Sequence, residues 1–114
     1  MPDPATPPPF TIEVEDRGTT AYICCHGKLV AGAGDLLYDP VSQLIPAHQR
    51  IILDLTDLVR MDSMGLGTLA RLYVSARTAG CSLQLINLGK QVRLLLDTTH
   101  MLEAFTSLAN TALR

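Results

Sequence analysis

The chain has 114 residues, of which 47% are hydrophobic and 18% charged, and its formal net charge is −2. This length and composition predict one globular domain that buries about two-thirds of the surface of the unfolded chain, enough for a core without metals or disulfides. The chain lacks the excess of basic residues that nucleic-acid binding requires. It has only two Phe, three Tyr and no Trp, so few aromatic rings are present on which bases could stack.

The N-terminus and the cysteines bear on domain boundaries and compartment. Residues 1–9 hold five of the seven prolines, so we expect a disordered leader there and one domain over residues 10–114. The leader lacks the basic and apolar regions of a signal peptide, and no apolar stretch is long enough to span a bilayer. Three cysteines do not make the even set of a disulfide framework. These features predict a cytoplasmic protein without membrane contact.

An antiparallel hairpin is predicted at the start of the domain. The first segment, FTIEVEDRG, alternates Phe10, Ile12 and Val14 with polar residues, which is the period-two pattern of a half-buried strand. A turn at residues 16–18 leads into TTAYICCHG, which is rich in strand-forming residue types. The chain then reads GKLVAGAG, which has three glycines and is expected to form a loop.

Helices and strands alternate after this hairpin. Residues 35–45 carry apolar residues near helical spacing, but Pro40 interrupts them, so this helix is expected to be kinked or to start late. Residues 50–56 read RIILDLT, a nearly unbroken apolar run typical of a strand covered on both faces. Residues 57–62 are expected to form a loop.

A second helix is predicted after residue 62, with Gly80 where a C-terminal cap belongs. Its apolar stripe at helical spacing comprises Leu66, Leu69, Ala70, Tyr73 and Ala76. The remaining segments are CSLQLIN, a strand, GKQVRLLLD, an amphipathic helix, and TTHMLEAFTSLANTALR, a short strand and a terminal helix. This order predicts an α/β fold, with a mixed β-sheet that starts as an antiparallel hairpin and continues as alternating strands and helices packed against it.

Asp62 and Ser63 stand between the predicted central strand and the second helix. Both are strong N-cap types, because their side-chain oxygens accept hydrogen bonds from the free N–H groups of a first helical turn. Gly65 and Gly67 follow within that turn, although glycine costs a helix about 0.5–1 kcal/mol relative to alanine. The missing side chains would let the backbone of another protein approach the helix tip. In the alternative interpretation, Asp62 and Ser63 are only a cap and the glycines fit a tight strand-to-helix turn.

This junction carries a recognisable motif, namely Met-Asp-Ser, one further residue and Gly-Leu-Gly, at Met61, Asp62, Ser63, Gly65, Leu66 and Gly67. Between a strand and a helix, the motif resembles the STAS domain of the bacterial anti-sigma factor antagonists. The resemblance extends from about Phe10 to the C-terminus. It includes Gly27 and the segments IILDLTDL, CSLQLINL and VRLLLD followed by TTHML. It implies a STAS-like fold for residues 10–114.

The resemblance also implies a phosphorylation switch. In the family, an anti-sigma factor that is also a serine kinase phosphorylates the serine after the aspartate, and a phosphoserine phosphatase resets it. The unphosphorylated form binds the kinase and so frees the sigma factor. The implied phospho-acceptor is Ser63, where phosphorylation would add about −1.5 to −2 charges. The implied partner-binding residues are Asp62, Ser63, Met64, Gly65, Leu66, Gly67, Lys28 and Val30.

Two positions depart from the family pattern. Many members have Ser or Thr after the phospho-acceptor, but this chain has Met64, which would either anchor a partner or fold back onto the core. Many phosphorylatable members have Gly-Glu-x-Asp after the second strand, but here the segment reads Gly27, Lys28, Leu29 and Val30. These departures motivate a second hypothesis, a constitutively unphosphorylated STAS subunit of a transporter or signalling assembly.

An enzymatic function has no support in the residue pattern. A hydrolase elbow needs glycine two residues before the serine, and here that residue is Met61. His26, His48 and His100 have no spacing that suggests a base for Ser63 or a metal site. We therefore predict a binding module without catalytic residues, metal or cofactor. Self-association through the exposed edge of the hairpin, as a weak homodimer, stays open.

Overall fold

The computed structural model describes residues 10–99. The strands are β1 Phe10–Arg17, β2 Thr20–Leu29, β3 Arg50–Met61 and β4 Ser82–Ile86. The helices are α1 Gly34–Leu44, α2 Ser63–Thr78 and α3 Lys90–Thr98, with a short 3-10 helix at Ile45–Ala47. In this part of the chain the strands form one mixed sheet in the order β1-β2-β3-β4, and the three helices pack against it. The predicted α/β fold class is confirmed.

The predicted antiparallel hairpin is formed by β1 and β2. Its register runs from Phe10 opposite Gly27 to Arg17 opposite Thr20. Gly18 in the turn has φ +79, a conformation that glycine adopts without strain. The later pairs, β2 with β3 and β3 with β4, are parallel. Parallel neighbours need long connections, and α1 and α2 provide them.

The core lies between one face of the sheet and the helices. Alternate residues of the inner strands are buried there: Ala21, Ile23 and Cys25 of β2, Ile51, Leu53 and Leu55 of β3, and Leu83 and Leu85 of β4. They form one cluster with helix residues: Leu37 and Val41 of α1, Leu69 and Leu72 of α2, and Val92 and Leu96 of α3. Fully burying one such side chain contributes about 1.5–3 kcal/mol. This packing fixes α2 relative to the strand that precedes it.

The structure corrects the prediction for β3. Its first half alternates between buried and partly exposed residues, so the expectation of a strand covered on both faces is wrong. The expected loop at residues 57–62 is also wrong, because β3 continues to Met61 beside β2, which extends to Leu29 in the segment expected to be a loop. Two register shifts in this ladder break the period of two. The buried residues Leu55, Leu58 and Met61 therefore lie three apart, and the sequence shows no strand pattern there.

The structure also corrects the start of α1. The helix begins at Gly34 and contains Pro40, so the expectation of a late start is wrong. Proline has no N–H for the carbonyl of Leu36, four residues earlier. The Leu36 side chain is 48% exposed, which places this turn at the solvent side, where water can bond to the carbonyl. On the other side, the buried residues Leu37 and Val41 hold the helix to the core.

The second helix, α2, is confirmed, and Gly80 follows its end with φ +74 as predicted. Three residues of the predicted stripe are buried, Leu66, Leu69 and Ala76. Ala70 and Tyr73 are only partly buried. The stripe missed Leu72, which is fully buried because α2 packs against α1 as well as the sheet.

Two predictions concern residues that the structure does not describe. The expected leader covers residues 1–9, and the expected final strand and helix lie almost entirely beyond residue 99. Over residues 10–99, none of the helices is long and apolar enough to cross a membrane.

Candidate functional site

Ser63 lies at the carboxyl end of β3, where the strand passes into α2. The strand ends at Met61, whose side chain is fully buried. Asp62 then has extended backbone angles, φ −109 and ψ −174, and is the N-cap of α2. Its N–H donates to the carbonyl of Leu29 at 3.4 Å. Ser63 is therefore the first helical residue, beside the loop that joins β2 to α1.

The carboxylate of Asp62 is fully engaged in local structure. Its Oδ1 accepts hydrogen bonds from the N–H groups of Met64 and Gly65, both at 3.0 Å. Its Oδ2 accepts one from the N–H of Ala31 at 3.1 Å, across the β2–α1 loop. These bonds, above all the one from Gly65, lower the pKa of Asp62 below its ordinary value. Asp62 therefore caps α2 and ties the loop to the helix tip.

The hydroxyl of Ser63 is left free by this cap. Ser63 is exposed to solvent, and its side chain makes no hydrogen bond to any other residue between 10 and 99. Because Asp62 supplies the cap, the Ser63 oxygen is not needed to satisfy the first turn. It projects at the positive end of the helix dipole, where added negative charge is favoured by about 0.3–1 kcal/mol.

The two glycines of the first turn have different environments. A Cβ at Gly65 would lie 2.0 Å from the carbonyl oxygen of Leu29 and 2.9 Å from Cγ of Met61. Gly65 is therefore required by the backbone of this chain, as the tight-turn interpretation expected. A Cβ at Gly67 would meet nothing within 4 Å, and this residue is exposed. Leu66, between them, is only 6% exposed and packs in the core.

A groove of about 310 Å³ runs beside Ser63, between the β2–α1 loop and α2. Its lining includes Val30, Ser63, Met64, Gly67, Thr68 and Arg71. Met64 is 64% exposed, so it points away from the core rather than folding back onto it. The structure thus brings four of the predicted partner-binding residues together, Val30, Ser63, Met64 and Gly67.

The other predicted partner-binding residues do not line this groove. Gly65 and Leu66 face the interior, and the oxygens of Asp62 are taken up by backbone groups. Lys28 is exposed near the end of β2, in register with Arg60 of β3. Lys28 and Arg60 therefore place two cations side by side on neighbouring strands.

Sequence reasoning missed several residues of the groove. Arg71 lies two helical turns after Ser63 and one after Gly67, a spacing of four residues that places successive side chains on one face of a helix. Gly34 begins α1, and a Cβ there would lie 2.6 Å from Oγ1 of Thr68, which explains a glycine in a segment expected to be only a loop. The helical spacing from Ser63 was the available signal for Arg71.

The described histidines have partners elsewhere. Nδ1 of His26 lies 3.1 Å from Oδ2 of Asp57, and Nε2 of His48 lies 3.3 Å from Oδ1 of Asp16. Between residues 10 and 99, the structure groups no three His, Cys, Asp or Glu side chains that could hold a metal ion. The features near Ser63 are therefore a free hydroxyl, an open groove and an exposed apolar side chain.

This arrangement defines a small α/β domain with a serine at its exposed helix tip. The family model of the STAS domain matches residues 11–112. The chain belongs to the STAS domain family, as the motif around Ser63 indicated. A comparison with curated protein sequences finds no match.

Solved structures share this fold. The anti-sigma factor antagonist SpoIIAA in its unphosphorylated form is 22% identical, with 82% of this chain and 84% of SpoIIAA covered and a TM-score of 0.72. The phosphorylated form of SpoIIAA, from Bacillus, is 21% identical, with 80% and 85% covered and a TM-score of 0.67. An anti-sigma factor antagonist from Mycobacterium paratuberculosis is 18% identical, with 92% and 87% covered and a TM-score of 0.75. A sulfate transporter family protein from Wolinella succinogenes is 19% identical, with 82% and 75% covered and a TM-score of 0.69.

Proposed function

We propose that this chain is an anti-sigma factor antagonist of the bacterial cytoplasm. In its unphosphorylated form it docks an anti-sigma factor that is also a serine kinase, and so releases the sigma factor. Phosphorylation of Ser63 ends the docking, and a phosphoserine phosphatase restores it. The observation that carries this proposal is the exposed Ser63 hydroxyl, free of hydrogen bonds to residues 10–99, at the first position of α2.

The surroundings of Ser63 suit a switch that spares the fold. A phosphate would add about −1.5 to −2 charges at the positive end of α2, where the domain tolerates them. The preceding residue, Asp62, directs its two carboxylate oxygens at backbone N–H groups, which reduces repulsion within the domain. The cost of the phosphate falls on the docked complex, because a dianion would have to lose water or face the acids of a partner. A loss of about 1.4 kcal/mol weakens binding tenfold.

The docking surface that we propose is centred on the groove. Ser63, Met64, Gly67 and Val30 would contact the partner, and Lys28 would add charge at its margin. Met64 offers an exposed apolar side chain, the type that becomes buried on docking. Gly65 and Leu66 act indirectly, because they seat the first turn of α2 against β2 and the core. The chain supplies no catalytic group in this role.

The direct test is phosphorylation with a purified anti-sigma serine kinase from the same genome. We expect intact-mass analysis to show one added phosphate and peptide mapping to place it on Ser63. Ser63→Ala should abolish the modification, whereas the matched control Ser42→Ala should leave it unchanged. Ser63→Asp should weaken kinase binding by about tenfold or more. A phosphate found only elsewhere, with Ser63→Ala still switched by the kinase, would overturn the proposal.

A second candidate function is a constitutively unphosphorylated STAS subunit of a transporter or signalling assembly. Two observations favour it, namely Met64 beside Ser63 and the residues Lys28 and Val30 at positions where many phosphorylatable members carry acids. The fold is also shared with the sulfate transporter family protein from Wolinella succinogenes. This function requires that Ser63→Asp leave partner binding unchanged. The binding measurement on that one variant therefore separates the two candidates.

A further inference from the structure

The outward face of α2 continues the groove away from Ser63. The exposed residues Met64, Gly67, Arg71 and Val74 follow one another at spacings of three and four residues, so they share one face of the helix. Met64 and Val74, at its ends, are 64% and 61% exposed. A second shallow depression, between α1 and α2, is lined by Arg71 and Val74. Arg71 borders both depressions and links them.

The guanidinium of Arg71 is held in place by an aromatic ring, and it forms no ion pair with an acidic side chain of residues 10–99. Its guanidinium carbon lies 4.1 Å from the ring centroid of Tyr38 on α1, so the planar group is held against an aromatic face. None of the ion pairs among residues 10–99 involves Arg71. Asp35 also lines the groove but is not paired with it. A guanidinium held in this way presents its N–H groups to a carboxylate with little further loss of side-chain freedom.

We infer that this face binds a segment of the partner protein in which a carboxylate, flanked by apolar side chains, pairs with Arg71. The apolar side chains would cover Met64 and Val74, and the absent side chain of Gly67 leaves room for them between the two. This inference rests on the proposed function, because it takes from it that a partner protein docks at Ser63.

The position of Arg71 also explains how a phosphate on Ser63 would act. Ser63 and Arg71 line the same groove, so a phosphate and the partner's carboxylate would compete for one space and one cation. Like charges brought together in a desolvated contact repel each other strongly. The effect of phosphorylation would therefore depend on Arg71, which makes it a specificity-determining residue as well as a contact.

The test uses a displayed library of random peptides, selected on the full chain with unphosphorylated Ser63. We expect peptides with an acidic residue beside apolar ones, and we expect their binding to weaken about tenfold or more in Arg71→Gln. The matched control Arg77→Gln removes the same charge from α2 and should bind as the unchanged chain does. Arg71→Lys should keep part of the binding, because it keeps the charge and loses the planar fork. Thermal unfolding checks that each variant is folded.

The decisive measurement is whether the effects of substitutions at Ser63 and Arg71 on peptide binding are additive. Ser63→Glu should weaken the selected peptides in the unchanged chain but add little once Arg71→Gln is present. Selected peptides without acids, equal binding to Arg71→Gln, or fully additive effects of the two changes would overturn the inference. The phosphorylation test of the proposed function is independent of these results. A kinase that fails to modify Ser63 would leave peptide binding at Arg71 unchanged.

Discussion

The carbonyl oxygen of Leu29 occupies the space where any side chain at position 65 would begin, since a Cβ on Gly65 would lie 2.0 Å from it. Neither partner can move easily, because Leu29 is paired in the sheet and Gly65 is in the first turn of α2. We predict that Gly65→Ala lowers the free energy of unfolding by about 3 kcal/mol, through displacement of backbone. Urea denaturation measures this change.

Gly67→Ala is the matched control for that variant. Position 67 lies in the same turn, is exposed, and has open space where a Cβ would be. Alanine is favoured over glycine inside a helix, so we predict that Gly67→Ala raises the free energy of unfolding by about 0.5–1 kcal/mol. Equal effects of the two substitutions would contradict the close approach of α2 to β2.

The cap formed by Asp62 predicts an acid-dependent stability. Hydrogen bonds from Gly65, Ala31 and Met64 hold the pKa of Asp62 below its ordinary value of 3.8. A lowered pKa in the folded state means that the stabilisation is present above pH 3.8 and is lost as the pH falls through the folded pKa. Denaturation curves as a function of pH should therefore show a steeper acid loss for the unchanged chain than for Asp62→Asn.

Much of the fold could be predicted because the pattern of apolar residues follows the regular periods. The first strand of the hairpin alternates apolar and polar residues, and α2 has an apolar stripe followed by Gly80. The prediction failed at the ends of β2 and β3, where register shifts break the period of two while leaving Leu58 and Met61 buried. A bulge depends on two strands at once, so it cannot be recognised from either strand alone.

The site could be predicted only in part, for a related reason. Asp62, Ser63 and Gly67 are neighbours in sequence, and the motif itself draws attention to them. Whether a glycine faces solvent or the carbonyl of Leu29 depends on how two distant segments meet. The guanidinium of Arg71 packs against the ring of Tyr38, a residue on another helix. Contacts of this kind join residues that are distant in sequence, so the residue pattern around Ser63 does not show them.

Because of His48, we predict that the domain loses stability as the pH rises above 6.5. Its side chain is buried, with Nδ1 2.8 Å from the carbonyl of Leu44 and Nε2 3.3 Å from Oδ1 of Asp16. Both partners are acceptors, so both contacts are satisfied only when the ring carries two protons. The bond to Leu44, with that to Asp16, raises the pKa of His48 above its ordinary 6.5.

A raised pKa in the folded state means that this stabilisation is complete below pH 6.5 and is lost as the pH rises through the folded pKa. We expect the midpoint of urea denaturation to fall over that range. The decline should become shallower in Asp16→Asn, which keeps the Leu44 contact and removes the charge. NMR titration of the His48 ring would locate the transition directly, and a ring that titrates below 6.5 would contradict this account.

The side-chain amide of Gln91 links α3 to β3, the strand that leads to Ser63. Its Oε1 accepts from the N–H of Met61 at 3.0 Å, and its Nε2 donates to the carbonyl of Met61 at 2.8 Å, beyond the last pair of β3 with β4. Gln91→Ala would leave both backbone groups of Met61 without these bonds, and we predict a loss of about 1–2 kcal/mol in the free energy of unfolding.

Gln91→Glu is the sharper variant, because a carboxylate still accepts from the N–H but repels the carbonyl. It should destabilise at least as much as Gln91→Ala, although it preserves the size of the side chain. Hydrogen exchange should show faster exchange of the Met61 amide in both variants, and unchanged protection there would contradict the link.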